Sequence, residues 1–320
     1  MAVAGTTRES GCESSVAKRE ITFVVRCAGE RTAFDAVKVL KGQLGCGADE
    51  QVHAIEERPF AEAVRRTLEL GIESGRAFTV GMDADVLLLA DGVERLSRLC
   101  GSMTPETYSL AGLTLCRFFG GLCFRGVHVY RSEHLKPALG LIGVHTPGGA
   151  HPDLKPETAV VEAMQARGFG FGALPIPLGI HDYEQYYRHI YLKMRLRARR
   201  QLEVDVGDKD AAPFREACRV RGERGERDFE VALWGLDDGA ADSRRRVDAG
   251  AAPVPRNYDW NREWPEFDAR MRAAGLEEKT AVTETGMAGN AERVLADHDV
   301  ARDGRTPEWI RRAVAVRRAA

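Results

Sequence analysis

The chain has 320 residues, 44% hydrophobic and 29% charged, with a formal net charge of −2. Near neutrality argues against a nucleic-acid binder working through bulk positive charge, and no window reaches the roughly 18 apolar residues of a membrane span. The seven cysteines are scattered, odd in number and without a Cys-x-x-Cys pair, so reduced thiols in a cytoplasmic protein are expected rather than a disulfide framework or zinc knuckle.

Residues 1–20 have no apolar stretch and read as a flexible tail. From residue 21 the pattern alternates. ITFVVRCAG is a short run rich in β-branched residues, the mark of a buried strand. Residues 33–44 carry Phe34, Val37, Leu40 and Leu44 at helical spacing, and QVHAIEERP is a second strand stopped by Pro59. Phe60, Val64, Leu68 and Ile72 share one helix face, with Gly75 as a stop. AFTVGMD is a third strand, and Leu88 to Leu99 is again amphipathic. Strand and helix alternating through the first hundred residues imply an α/β fold with a mostly parallel sheet. In such sheets ligands bind beyond the carboxyl ends of the strands.

Residues 113–130 predict two strands around Gly120 and Gly121, and Pro156 to Arg167 a helix after a Gly/Pro-rich loop. GFGFGALPIPLGI reads as loop or short strand, and HDYEQYYRHIYLKMRLRARRQ as a long helix with a basic end. Beyond about residue 205, charged clusters such as RVRGERGERD and DSRRRVDAG break the helical pattern, which places a soft boundary there.

The third strand ends at two carboxylates one residue apart, Asp83 and Asp85. Side chains at i and i+2 of an extended segment face the same way, so the pair can hold one hard divalent cation such as Mg²⁺ or Mn²⁺. Asp also favours strand-to-helix corners, so the spacing alone leaves a capping role open.

With its flanks, RAFTVGMDADVLLLADGVERL preceded by VHAIEERPFAEAVRRTLELGIESG, this stretch resembles the DxD region of nucleotide-sugar glycosyltransferases with the GT-A fold, family 2-like bacterial enzymes in particular. GVHVYRSEHLKPAL, LKPETAVVEAMQARG and LGIHDYEQYYRHIY are similar in order and spacing to the acceptor-side segments of such enzymes. The resemblance implies a GT-A, Rossmann-like catalytic domain at 21–204, with a mostly parallel central sheet flanked by helices. An irregular α-rich extension of unknown role would occupy 205–320. It implies that Asp85 ligates a Mn²⁺ or Mg²⁺ ion bridging the donor diphosphate, and that Asp83 faces the ribose or reaches the metal through water. Glu56 would approach the base or ribose, where family 2 enzymes more often carry Asp, and Arg26 would line the nucleotide pocket. His181 is the expected further metal ligand; flanking the following helix together with Asp182 is the alternative. Glu157, with Asp153 in reserve, is the expected base of an inverting transfer; a first-turn helix acid favoured by the dipole is the alternative for Glu157.

The implied partners are a nucleotide-sugar donor and a saccharide, lipid-linked or protein acceptor, with no nucleic acid. Lys193 to Arg200 would be the point of peripheral membrane contact for a lipid-linked acceptor, against a plain solvated helix end. Tyr183, Tyr186, Tyr187 and Tyr191 fall on one helix face as a core stripe or, alternatively, a sugar-stacking platform. Two rival readings remain. VGMDADVLL also fits the first motif of haloacid-dehalogenase-type phosphatases, with Asp83 as nucleophile and Asp237 and Asp238 as a late acidic pair. A GT-A-like domain binding a nucleotide sugar without turnover is the non-enzymatic one.

Overall fold

A computed structural model describes residues 17–118, 121–142, 155–203, 211–251, 265–280 and 288–297. Its strands are β1 Ile21–Arg26, β2 Val52–Ile55, β3 Phe78–Asp83, β4 Val86–Leu88, β5 Thr107–Cys116, β6 Gly121–Cys123, β7 Val127–Arg131 and β8 Gly170–His181. The principal helices are α1 Ala33–Leu44, α2 Phe60–Ser74, α3 Gly92–Gly101, α4 Pro156–Ala166, α5 Tyr187–Glu203, α6 Ala211–Glu223, α7 Arg227–Asp248, α8 Pro265–Ala273 and α9 Ala288–Asp297. Lys18–Glu20, expected as part of a flexible tail, form one 3-10 turn leading into β1.

The strands form one sheet in the order β2-β1-β3-β7-β5-β8-β4, with β6 paired to β5. Strands β2, β1, β3, β5 and β8 point one way, and β7, β4 and β6 run against them. The sheet is therefore mostly parallel, as expected. Every residue of β1 is buried, because helices cover both faces and the strand needs no polar side. Phe23 and Val25 pack with Leu40 of α1 and Leu96 and Leu99 of α3, while Val24 faces the other way toward Ala63 and Leu70 of α2. Val160 and Met164 of α4 join Leu68 and the ring of Tyr130 on that second face. Gly75 ends α2 in the left-handed conformation (φ 65°), which costs glycine little.

Three readings need correction. GFGALPIPLGIH, read as loop or short strand, is a full 12-residue strand, β8, held between β5 and β4. The helix after it begins at Tyr187 rather than near His181, so Tyr183 and Tyr186 lie in the connecting loop and do not share a helical stripe with Tyr187 and Tyr191. The extension after 205 is α-rich as expected, but the charged clusters do not break its helices, among them the 22-residue α7.

These helices form a second core with α5. Ile190, Tyr191 and Met194 of α5 pack with Phe214 and Cys218 of α6, Phe229, Ala232 and Leu236 of α7, and Phe267 and Met271 of α8. Gly235 and Gly239 let α7 approach closely: a Cβ on Gly235 would stand 2.3 Å from the Tyr191 carbonyl oxygen, and one on Gly239 2.3 Å from that of Arg195. Glu278 closes the start of α5 by accepting the N–H groups of Tyr187 (2.7 Å) and Arg188 (3.0 Å). No helix among the described residues is long and apolar enough to cross a membrane.

Candidate active site

Two strand ends start the site. Arg26 closes β1 and Asp83 closes β3, and the two are register partners. The buried guanidinium of Arg26 bridges two carboxylates, with Nη2 2.8 Å from Asp83 Oδ1 and Nη1 2.8 Å from Glu157 Oε1. Glu157, at the start of α4, also accepts the Tyr130 hydroxyl at 2.5 Å and faces His128 Nε2 at 3.5 Å. Burial alone would raise the Glu157 pKa, but Arg26, His128 and Tyr130 hold it down to about 2. A carboxylate with so many partners has little affinity for a proton.

After Asp83 the chain turns. Ala84 and Asp85 form a tight turn into β4, so the pair does not lie on one extended segment as expected. The turn is tied down: Ala84 N–H donates to the Arg26 carbonyl (3.0 Å), and Thr32 Oγ1 donates to the Ala84 carbonyl (2.8 Å). The carboxylates still converge, for Asp83, Asp85 and His181 each offer a donor atom within 4.8 Å of the other two.

His181 ends β8, opposite Val86 of β4 on one side and Cys116 of β5 on the other. It neither caps nor abuts α5. Its Nε2 lies 3.5 Å from Asp85 Oδ1 and its Nδ1 3.1 Å from Asp182 Oδ2. Burial would lower the His181 pKa, but Asp182 and Asp85 outweigh it and raise it to about 9. Gly126 (φ 73°) allows the β7 entry to pass close by, since a Cβ there would meet Val86 Cγ2 at 2.6 Å and His181 Cδ2 at 3.1 Å. The Gly126 carbonyl accepts the Asp83 N–H at 2.8 Å.

The ammonium of Lys193, from the second turn of α5, hydrogen-bonds both Asp85 Oδ2 and Asp182 Oδ1. Its pKa is raised well above the ordinary lysine value: burial works against it, and the two carboxylates more than compensate. Here the basic run departs from expectation. Lys193 is committed to the site, while Arg195 and Arg199 are buried and reach Asp242 at 3.7 and 3.2 Å. These three side chains are neither a solvated helix end nor a membrane-facing patch.

Glu30, on the loop after β1, was missed by sequence reasoning. Half-buried, it accepts the Ala28 N–H at 2.5 Å. Its pKa is pushed up to about 7, first by burial and then by Asp85. Lys193, Asp182 and Cys116 were missed as well. The only signal for Lys193 was a lysine set between Leu192 and Met194, and the three meet only once β5, β8 and α5 are assembled. Glu56 is exposed just beyond β2, on the side of the buried Cys27 thiol, whose pKa burial, Glu30 and Glu56 push up to about 12. Asp153 lies outside the described residues. A hollow lined by Phe34, Val37, Lys38 and Gly45 belongs to α1 and the loop after it, and contains none of the clustered residues.

The phosphatase reading loses its second acidic pair. Asp237 pairs with Arg215 of α6 at the surface, and Asp238 accepts from Arg270 of α8 (2.6 Å) and the Tyr191 hydroxyl of α5 (2.8 Å).

The residues fit a divalent cation by one direct observation. Asp85 Oδ1 is buried and makes no hydrogen bond, with His181 Nε2 at 3.5 Å, and Asp85 offers an oxygen within 4.8 Å of donor atoms on Asp83 and His181. What the fold and site define is an α/β protein with an acidic cluster at the carboxyl edge of its sheet, balanced by Arg26 and Lys193.

No protein-family profile matches the sequence, and no curated protein matches it. Among solved structures, the chain is similar to a glycosyltransferase involved in the glycosylation of the major capsid of PBCV-1, at 12% identity over 51% of this chain and 81% of that one, with a TM-score of 0.35. It is also similar to a protein assigned as a nucleotide-diphospho-sugar transferase from Desulfovibrio desulfuricans G20, at 11% identity over 70% and 98% of the two chains, with a TM-score of 0.34.

Proposed function

We propose that the chain is a metal-dependent glycosyltransferase that moves a sugar from a nucleoside-diphosphate donor to an acceptor hydroxyl with inversion. The observation that carries this reading is the convergence of Asp83, Asp85 and His181 at the carboxyl edge of the sheet, with a buried oxygen of Asp85 that makes no hydrogen bond. Asp83 and Asp85 would hold Mn²⁺ or Mg²⁺, and His181 Nε2 would serve as a third donor or as the N–H that orients Asp85. When bound, such an ion supplies Lewis-acid neutralisation of the charge that develops on a departing diphosphate.

The chain's own residues prepare that position. Lys193 fixes Asp85 and Asp182, Arg26 fixes Asp83, and Glu157 fixes Arg26. Preorganised charges of this kind cost no reorganisation during the reaction. An inverting transfer needs a base for the acceptor proton. Because Glu157 has little affinity for a proton and its Oε1 is taken by Arg26 and Tyr130, we assign it to positioning Arg26 and propose Asp153 or Glu30 as the base. Glu56 and Arg26 keep their proposed places on the nucleotide side. The acceptor is a saccharide, free or carried on a lipid or protein, and the setting is cytoplasmic.

Thermal-shift measurement against UDP-, GDP-, dTDP- and CMP-sugars, with and without Mn²⁺, tests this reading. A diphosphate donor class that raises the melting point only with metal supports it. No stabilisation by any nucleotide, together with stabilisation by vanadate or beryllium fluoride plus Mg²⁺, would move the assignment to phosphoryl chemistry.

A further inference from the structure

Behind the carboxylate pair lies a second donor set of different character. Cys116 ends β5 and His181 ends β8, side by side in register, and Asp182 follows His181. Asp182 is the one non-glycine residue with positive φ (65°) among the described residues, a conformation that points to a positional demand on its side chain. The three groups are buried and mutually close. His181 Nδ1 is 3.4 Å from Cys116 Sγ and 3.1 Å from Asp182 Oδ2, and Sγ is 3.8 Å from that same oxygen.

We propose that Cys116, His181 and Asp182 form a zinc site distinct from the Asp83–Asp85 pair. Tetrahedral zinc holds sulfur at about 2.3 Å and nitrogen or oxygen at about 2.0–2.2 Å, so the edges between its ligands are about 3.5 Å. The three observed separations trace one face of that tetrahedron without movement of the chain. A set with a thiolate and an imidazole selects zinc over Mg²⁺ and Mn²⁺, which favour oxygen ligands.

The surrounding groups fit the same assignment. A metal-bound imidazole commonly donates its other N–H to a carboxylate, and His181 Nε2 faces Asp85 Oδ1 at 3.5 Å. The oxygen of Asp182 not turned to His181 is held by Lys193. Three protein ligands leave the fourth position of the tetrahedron to water. The ion would tie the ends of β5 and β8 together behind Asp85, and it makes His181 the orienting group of the carboxylate pair rather than a ligand to the catalytic cation. This goes beyond the donor-sugar reading, whose cation would then rest on Asp83 and Asp85.

The full chain, purified under reducing conditions and stripped with a chelator, is titrated with Co²⁺ alone and then with Zn²⁺. One equivalent of Co²⁺ is expected to give a thiolate-to-cobalt charge-transfer band and intense visible bands of tetrahedral cobalt, all abolished by Zn²⁺. The bands should persist in Asp83→Asn and in Cys123→Ser, and vanish in Cys116→Ser. Absence of a charge-transfer band in the wild-type chain would overturn the proposal whether or not the serine variants fold. So would a band unchanged in a folded Cys116→Ser chain.

Discussion

Replacing Glu157 by Gln removes one negative charge from the network that holds Arg26, while leaving an amide oxygen able to accept a hydrogen bond. Glu157 is largely buried, and its pKa falls from an ordinary 4.5 to about 2. At 1.36 kcal/mol per tenfold change, the folded state favours the ionised form by about 3 kcal/mol. The sign follows from a depressed carboxylate. Its contribution is fully present above pH about 4.5 and is lost as pH falls through about 2. Removing one member of a buried charge network costs about 3–5 kcal/mol at neutral pH, and the retained acceptor places Glu157→Gln near the lower figure. Urea denaturation of wild type and variant at pH 7 and at pH 3 measures both terms. The gap is expected to be about 3 kcal/mol at pH 7 and to shrink by about 1–2 kcal/mol at pH 3, because only the wild type loses the carboxylate's contribution. An equal gap at both pH values would refute the account of Glu157 as an ionised anchor for Arg26.

Asp85→Asn should abolish metal-dependent nucleotide binding in calorimetry and leave the far-ultraviolet spectrum intact, at a stability cost of about 1–3 kcal/mol from weakening one of the two bonds to buried Lys193; a variant that merely unfolds would make the residue structural. Gly235→Ala would force a methyl to within 2.3 Å of the Tyr191 carbonyl oxygen and should cost about 1–3 kcal/mol by overpacking. An unchanged urea midpoint would contradict the close α5–α7 crossing. Glu278→Ala removes the acceptor for the first two N–H groups of α5, with an expected loss of about 1 kcal/mol and faster hydrogen exchange confined to that turn.

Legibility in the sequence tracked locality. β1, β3, α1 and α2 could be read because an apolar run or a four-residue spacing carries their burial in contiguous residues. β8 could not, since Gly170 to His181 contains three glycines and two prolines, and only the neighbours β5 and β4 make it a strand. α7 was obscured by its charges, which look like a solvated segment until Asp237, Asp238 and Asp242 meet Arg215, Arg270 and Arg199 from other helices. The site divides the same way. Asp83, Asp85 and His181 stood out by residue type beside strand-like runs. Lys193 did not, because what matters about it is a pair of partners 108 and 11 residues away. Glu157 was legible as an acid at a helix start, but its commitment to Arg26 and Tyr130 was not.

The central claim is that the Asp83–Asp85 edge binds a nucleoside diphosphate through a divalent cation. Titration calorimetry of UDP, GDP and dTDP into the full chain, with Mn²⁺ and then with chelator, tests it most directly, with Asp85→Asn alongside. The account predicts that one of these nucleotides binds in the presence of Mn²⁺, and that both the chelator and the substitution eliminate its binding. Binding that survives both, or no binding of any diphosphate to a folded chain saturated with Mn²⁺, would contradict it.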